Sequence, residues 1–225
     1  MQRPERNRFA TNAALLARSL LGCTLVRTLD DGCRLAGVIV ETEAYMGAED
    51  SAAHSYRRRR TARTEPMFAA GGTAYVYFTY GMHHCMNVVA STEGDPQAVL
   101  IRALEPTEGL GAMRRHRQAT VKSGTIDKLA DHLLCSGPGR ICRAMSIDRS
   151  FSGLDLTQAG PLAIQPGPAG IHGRAVREST PGSAADRTPI GRSPRIGLGT
   201  TDRWRDEPLR FFVRGHQSVS GRPRR

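Results

Sequence analysis

The segment Leu35-Ala36-Gly37-Val38-Ile39-Val40-Glu41-Thr42-Glu43-Ala44-Tyr45 reads as one long extended strand, and its pattern decides the class of fold. Its apolar run, Val38-Ile39-Val40, is β-branched throughout and closes on Glu43-Ala44-Tyr45. Side chains alternate between the two faces of a strand, so Ile39, Glu41, Glu43 and Tyr45 are expected on one side. A carboxylate and an aromatic ring then share a face, and His54 follows shortly after. Such a pair can hold a flat ring and attack a bond beside it.

Upstream, Leu25–Thr28 is a second strand, joined to the first through the turn Asp30-Asp31-Gly32, which predicts a hairpin. Residues 12–21 read as a helix capped by Thr11 or Asn12 and ended by Gly22. Downstream, Thr73–Tyr80 and Cys85–Ala90 are strands joined tightly through Gly81-Met82-His83-His84. Ala98–Leu104 is a further strand, stopped before Pro106, and Glu105-Pro106-Thr107 opens a helix. Asp127–Leu134 and Pro138–Met145 are expected to be helical, with Arg195–Leu198 and Leu209–Val213 as final short strands. Strands dominate early and helices intervene without strict alternation. The expectation is therefore an α+β domain with a mixed, mostly antiparallel sheet, covering residues 1–215 and followed by a basic, disordered tail, 216–225.

Two connections stand out. Residues 46–72 are long and irregular, and they carry His54 and five arginines, Arg57–Arg60 and Arg63, which favours a functional loop. The Pro- and Gly-rich stretch 160–170 leads into a loop, 172–190.

The 225 residues carry a formal net charge of +11, and only Lys122 and Lys128 among the 32 basic residues are lysines. Such a balance favours a polyanionic partner, nucleic acid first, although an excess of arginine over lysine also follows from genome composition. The five cysteines are odd in number and lack CxxC spacing, so neither a disulfide framework nor a zinc site is indicated. The N-terminus does not read as a signal peptide and no run suits a membrane span. A soluble protein of a reducing, intracellular compartment is expected.

Three of the five tyrosines lie in Tyr75-Val76-Tyr77-Phe78-Thr79-Tyr80. By period two, Tyr75, Tyr77 and Thr79 share one face, and Val76, Phe78 and Tyr80 the other. Tyr75 suits a core. Tyr80 sits beside Gly81 at a hairpin tip, where a ring on a protruding ribbon can wedge between stacked bases. Taken singly, Glu43 reads as a solvated carboxylate, His54 as a loop hydrogen-bonding group, Asn87 as a turn terminator and Arg57–Arg60 as a solvated, phosphate-facing run.

Taken in order, the blocks change that reading. Val40-Glu41-Thr42-Glu43-Ala44-Tyr45, Glu49-Asp50-Ser51-Ala52-Ala53-His54-Ser55, Tyr75 to Val88, Leu100-Ile101-Arg102-Ala103-Leu104-Glu105-Pro106, Gly137 to Cys142, Pro194-Arg195-Ile196-Gly197 and Pro208 to Gly215 together resemble the alkyladenine (3-methyladenine) DNA glycosylase family. The resemblance runs from about Ala13 to Gly215, and segments 111–126 and 172–190 match none of its motifs. It implies a curved sheet with a hairpin that enters the DNA minor groove. It implies Glu43 as the base that activates water, with Arg102 and the carbonyl of Ile196 holding that water. Tyr45 and Tyr77 would sandwich a flipped base with His54 at its edge. The backbone near Ala52 and His54 would read the purine, and Asn87 would crowd normal guanine. Tyr80, Met82 and His83 would occupy the duplex at the hairpin tip.

The implied activity is monofunctional hydrolysis of alkylated or deaminated purines from double-stranded DNA by a monomer, with no metal or organic cofactor and no membrane partner. A cytoplasmic, nucleoid-associated or nuclear location follows from the substrate. The residue types suit that chemistry: a fixed carboxylate opposes positive charge growing on the sugar and accepts a proton from water. With so few lysines, a Schiff-base lyase is not expected. Two alternatives are a non-catalytic nucleic-acid-binding module, and a helix-hairpin-helix glycosylase suggested by Leu134-Cys135-Ser136-Gly137-Pro138-Gly139.

Overall fold

In the computed structural model, which describes residues 5–118, 129–166 and 190–221, the long segment forms a strand that organises the molecule. This strand, β2 (Arg34–Tyr45), pairs along one edge with β5 (Gln97–Glu108). Its other edge is shared: β1 (Thr24–Thr28) takes the first half and β8 (Arg210–Val213) pairs with Glu41–Glu43. With β3 (Ala74–Thr79), β4 (His83–Ala90) and β6 (Leu162–Gln165), the order is β3-β4-β5-β2-β1-β6, and β7 (Ile190–Ser193) pairs with β8. Every described strand pair is antiparallel, and the sheet curls into a half-barrel with helices packed on it, an α+β fold.

Helix α1 (Ala13–Leu20) begins where Asn12 Oδ1 accepts the Ala14 N–H at 2.8 Å, and it buries Ala13, Leu16, Ala17 and Leu20 at helical spacing. Thr42 Oγ1 donates to the Ala17 carbonyl at 2.9 Å, fixing the helix on β2. Helix α2 (Leu110–Gln118) and α3 (Pro138–Ala144) complete the main core, where Ile39, Ala44, Ile101, Met113 and Ile141 meet.

A bulge corrects the expected face of β2. Pairing with β5 runs Ile39 to Leu104 and then Glu41 to Ala103, so Val40 is passed over. Ile39 therefore joins the main core, whereas Glu41 lies with Glu43 and Tyr45 on the opposite side, where Arg102 reaches both carboxylates.

Other boundaries differ as well. Glu105-Pro106-Thr107 does not open a helix: β5 runs on to Glu108, with Pro106 opposite Gly37 at a second register shift, and α2 starts only after Gly109. Arg195–Leu198 is not a strand, because it follows Pro194, Gly197 adopts φ +75°, and the Arg195 side chain turns inward. Within Asp127–Leu134, the described residues hold a single 3-10 turn, Asp131–Leu133. His83 and His84 belong to β4, leaving Tyr80-Gly81-Met82 as the hairpin tip. β6 forms inside the stretch read as Pro- and Gly-rich connection.

The expected tail is partly structural. Ser218 and Ser220 are buried, and Val219 packs against Val38, Val40 and Ala103. Residues 119–126 and most of the loop 172–190 lie outside the described residues, as do 222–225.

Candidate active site

Glu43 is fully buried at the end of β2, yet both carboxylate oxygens are met by donors. Oε1 accepts the Ile196 backbone N–H at 2.7 Å. Oε2 accepts the Tyr45 hydroxyl at 3.2 Å and lies 3.2 Å from Arg102 Nη1. Burial pushes the Glu43 carboxyl above its ordinary pKa, opposed by the Arg102 charge and the Ile196 N–H. The result is a strengthened base with a fixed orientation. It is the N–H of Ile196, rather than its carbonyl, that faces Glu43.

Arg102 comes from β5 and is itself held. Its Nε lies 3.2 Å from Glu41 Oε1, and Nη2 donates to Ser220 Oγ at 3.4 Å. Glu41 also accepts Arg210 Nε and the Ser220 N–H, each at 2.6 Å. Two carboxylates and two guanidiniums thus alternate beneath the site, which offsets the cost of burying each charge.

Beside Tyr45 opens a cleft of about 420 Å³ lined by Tyr77, His54, Tyr75, Asn87, Ala52 and the segment Gly197–Thr200, among others. The cleft is large enough for a purine and carries four tyrosine rings, those of Tyr45, Tyr75, Tyr77 and Tyr80. Burial raises the phenol pKa of Tyr45 and Tyr77 well above the usual range, so both remain neutral. His54 Nδ1 lies 2.8 Å from the Tyr75 hydroxyl, and its ring meets Tyr77 edge-on at 4.5 Å. Burial, with Arg63 and Arg59 nearby, lowers its pKa to about 4, so the ring is neutral at physiological pH. Arg63 Nη2 lies 3.5 Å from Nε2 and can only donate, which leaves Nδ1–H to donate to Tyr75. Asn87 is buried and donates to the Tyr75 carbonyl at 3.0 Å.

The structure brings together Glu43, Arg102, Ile196 and Tyr45, and around one cleft Tyr45, Ala52, His54, Tyr77 and Asn87. One detail differs: the Ala52 N–H is committed to Asp50 Oδ1 at 3.0 Å. The tip residues stand apart. Tyr80 is 81% and Met82 68% exposed, and His83 is exposed beside them. Tyr80 is held at φ +51°, in the left-handed region. It lines both the cleft and, across the hairpin, a second groove of about 890 Å³ that includes His83, His84, Arg115, Arg140 and Arg143.

Sequence reasoning gave no role to Asp50, Arg195, Glu41 or Arg63. Arg63 lies 5.2 Å over the Tyr77 ring. Asp50 and Arg195 form a wholly buried ion pair. Of the arginine run, Arg60 is engaged locally by Glu65 at 2.9 and 2.6 Å, while Arg57 and Arg58 stay exposed.

A methylpurine-DNA glycosylase family model matches residues 7–217. The chain is 45% identical over 212 residues to the DNA-3-methyladenine glycosylase of Mus musculus, covering 94% of this chain and 59% of the relative. Identity to the DNA-3-methyladenine glycosylase of Homo sapiens is 45% over 213 residues, covering 94% and 66%. A Bacillus cereus (strain G9842) protein, provisionally named 3-methyladenine DNA glycosylase, is 42% identical over 205 residues, covering 91% of this chain and 92% of the relative. The chain therefore spans about three fifths to two thirds of the length of the mammalian relatives.

Proposed function

The chain belongs to the methylpurine-DNA glycosylase family, and from that premise we propose that it excises alkylated or deaminated purines from duplex DNA by hydrolysis. 3-Methyladenine, 7-methylguanine, hypoxanthine and ethenoadenine are the substrate class. The observation that carries the reading is Glu43: a buried carboxylate, strengthened as a base and bonded to the hydroxyl of Tyr45, which with Tyr77 and His54 lines a purine-sized cleft.

Glu43 takes a proton from water as the water oxygen bonds to C1′ of the sugar. The N-glycosidic bond breaks with its electron pair leaving on the base, and an abasic sugar remains. Positive charge on the sugar grows beside a carboxylate, which stabilises it. Arg102 opposes the burial that raises the Glu43 pKa and so favours the ionised carboxylate. The neutral tyrosine faces suit a cationic methylated purine by stacking and cation–π attraction.

The base must first leave the duplex, at a cost of a few kcal/mol. Tyr80, exposed and turned outward at the hairpin tip, is suited to fill the space it vacates. The groove on the other side of Tyr80, with Arg115, Arg140 and Arg143, suits phosphate contact with a monomer bound across the minor groove. Lys122 and Lys128 are the only lysines of the chain and both lie outside the matched motifs, which favours hydrolysis over Schiff-base lysis.

Incubation of the protein with duplexes carrying each lesion, followed by chromatography of released base, tests the reading. Release of a free purine by the wild type and none by E43Q supports it. No release from any lesion by folded protein refutes it. A non-catalytic binding module would show no dependence on Glu43.

A further inference from the structure

We propose that the buried Asp50–Arg195 ion pair is a positioning unit of the excision site, holding the Ile196 N–H on Glu43 and backing the Tyr45 ring. The proposal rests on the excision reading above.

Asp50 ends the 3-10 turn Gly47–Glu49, in the loop that also carries Ala52 and His54. Its carboxylate is wholly buried and gathers four donors. The Met46 and Ala52 N–H groups donate at 3.0 Å each. Arg195 supplies the other two, Nη1 to Oδ2 and Nη2 to Oδ1, the latter at 2.9 Å. Arg195 also donates to the Ala44 carbonyl at 2.9 Å and to the Trp204 carbonyl at 3.1 Å. Its guanidinium carbon lies 4.6 Å from the centroid of the Tyr45 ring.

The pair therefore joins three pieces of chain that converge only at the site. These are the end of β2 with Ala44 and Tyr45, the loop with Ala52 and His54, and the loop with Ile196 and Gly197–Thr200. Ile196 follows Arg195 directly. The peptide between them is planar, so fixing Arg195 fixes the direction of the Ile196 N–H toward Glu43.

Stability alone accounts poorly for such a pair. Two buried charges seldom outperform apolar residues of similar size, and here the Arg195 Nε is buried with no hydrogen-bond partner among the described residues. A fork with two acceptors and a ring face is, by contrast, a rigid way to set a backbone direction. Among the described residues the pair bonds to Ala44, Met46, Ala52 and Trp204 and faces the Tyr45 ring, away from the hairpin tip in the chain, so its effect should fall on the chemical step rather than on DNA binding.

The test compares wild type, D50N and R195K. Asn keeps an acceptor for the Ala52 N–H but not the charge; Lys keeps the charge but not the fork. Three readouts are taken: single-turnover release of a cationic methylated purine against pH, binding to an abasic duplex, and the 13C signal of the Glu43 carboxyl against pH, assigned by its loss in E43Q. A cationic leaving base needs no added proton, so the acid limb of the rate reports the base alone. The charged and titratable groups around Glu43 are Glu41 and Tyr45 on β2, Arg102 on β5, Tyr77 on β3 and Cys85 on β4, with Arg210 on β8 bound to Glu41 and Arg195 over the Tyr45 ring. D50N replaces none of them, and the positive charge it leaves unpaired on Arg195 would draw the Glu43 titration down, so an upward move reports the lost N–H.

D50N is expected to slow release about 100-fold, as small misplacements of catalytic groups do, with duplex affinity changed less than about threefold. The acid limb and the Glu43 signal should both move to higher pH, because the Ile196 N–H no longer favours the ionised carboxylate. R195K should give an intermediate rate. Folded D50N with unchanged rate and unchanged Glu43 titration overturns the proposal. Loss of cooperative folding in both variants also overturns it, since the pair is then a folding element. If the wild type releases no base, the excision reading fails, and the Glu43 titration still decides whether the pair positions Ile196.

Discussion

The Ile196 N–H donates to Glu43 Oε1 at 2.7 Å from 153 positions further along the chain. That bond and Arg102 Nη1 hold opposite oxygens of one carboxylate. Glu43 thus cannot rotate freely, and the two donors oppose the burial that raises its pKa. Burial supplies the basicity, and the donors supply the orientation.

E43Q separates these two properties. Glutamine keeps the shape and an oxygen acceptor for Ile196 but takes no proton from water. Base release should fall by about 10³-fold or more, while affinity for lesion duplex persists. The melting temperature should not fall, since burial already disfavours the ionised carboxylate and Arg102 retains Glu41. Single-turnover release, duplex binding and a thermal melt check the three parts. A variant with near-normal release would remove Glu43 as the base.

Tyr80 holds a left-handed backbone at φ +51° on an exposed tip, a conformation that costs a non-glycine residue about 1 kcal/mol. Asn tolerates it better. Y80N should therefore fold at least as stably as wild type yet lose the wedge. Excision from a paired duplex should fall roughly tenfold to a hundredfold, the worth of one lost stacking contact. The loss should shrink when the lesion lies in an unpaired bubble, where little unstacking remains. Equal losses on both substrates would assign Tyr80 another role.

Local pattern and chain-distant contact divide what the sequence reveals here. The strand β2, the β3–β4 hairpin and the shared face of Glu43 and Tyr45 were legible because period two and turn residues are local signals. The bulge at Val40 was not, since nothing in a β-branched run marks which residue the partner strand will skip. Pro106 read as a helix start because its tolerance in β5 depends on a register shift opposite Gly37. β6 is four residues long and exists by pairing with β1. Asp50 and Arg195 stand 145 positions apart, and their pairing has no local signature.

His54 predicts an acid-sensitive stability. Its folded pKa is lowered to about 4 against an ordinary 6.5, chiefly by burial. The unfolded chain therefore binds a proton that the folded one refuses, and stability falls as pH drops from about 6.5 to about 4. Glu43, raised by burial, acts in the opposite sense and softens the slope. Urea unfolding at pH 7 and at pH 5 should show a smaller loss for H54Q than for wild type. Equal pH dependence in both would mean that His54 is not desolvated in the native state.

Truncation distinguishes the structural part of the C-terminal segment from the rest. Ser220 donates its N–H to Glu41 Oε2 at 2.6 Å, accepts Arg210 Nη2 on its carbonyl at 2.8 Å, and meets Arg102 with its hydroxyl at 3.4 Å. Val219 adds apolar burial against Val38, Val40 and Ala103. Ending the chain at Gly215 removes all four contacts and leaves the Glu41 carboxylate one donor short in a dry environment. The expected cost is roughly 3–5 kcal/mol, combining one unsatisfied buried charge with one exposed valine-sized surface. Release of base should slow even where the protein remains folded, because Arg102 loses one of the groups that aim Nη1 at Glu43. Ending the chain at Gly221 keeps every one of these bonds and should stay within about 0.5 kcal/mol of the full chain. Urea midpoints and single-turnover rates for the two truncations decide it. If both behave alike, the Ser218–Ser220 packing contributes nothing to the site.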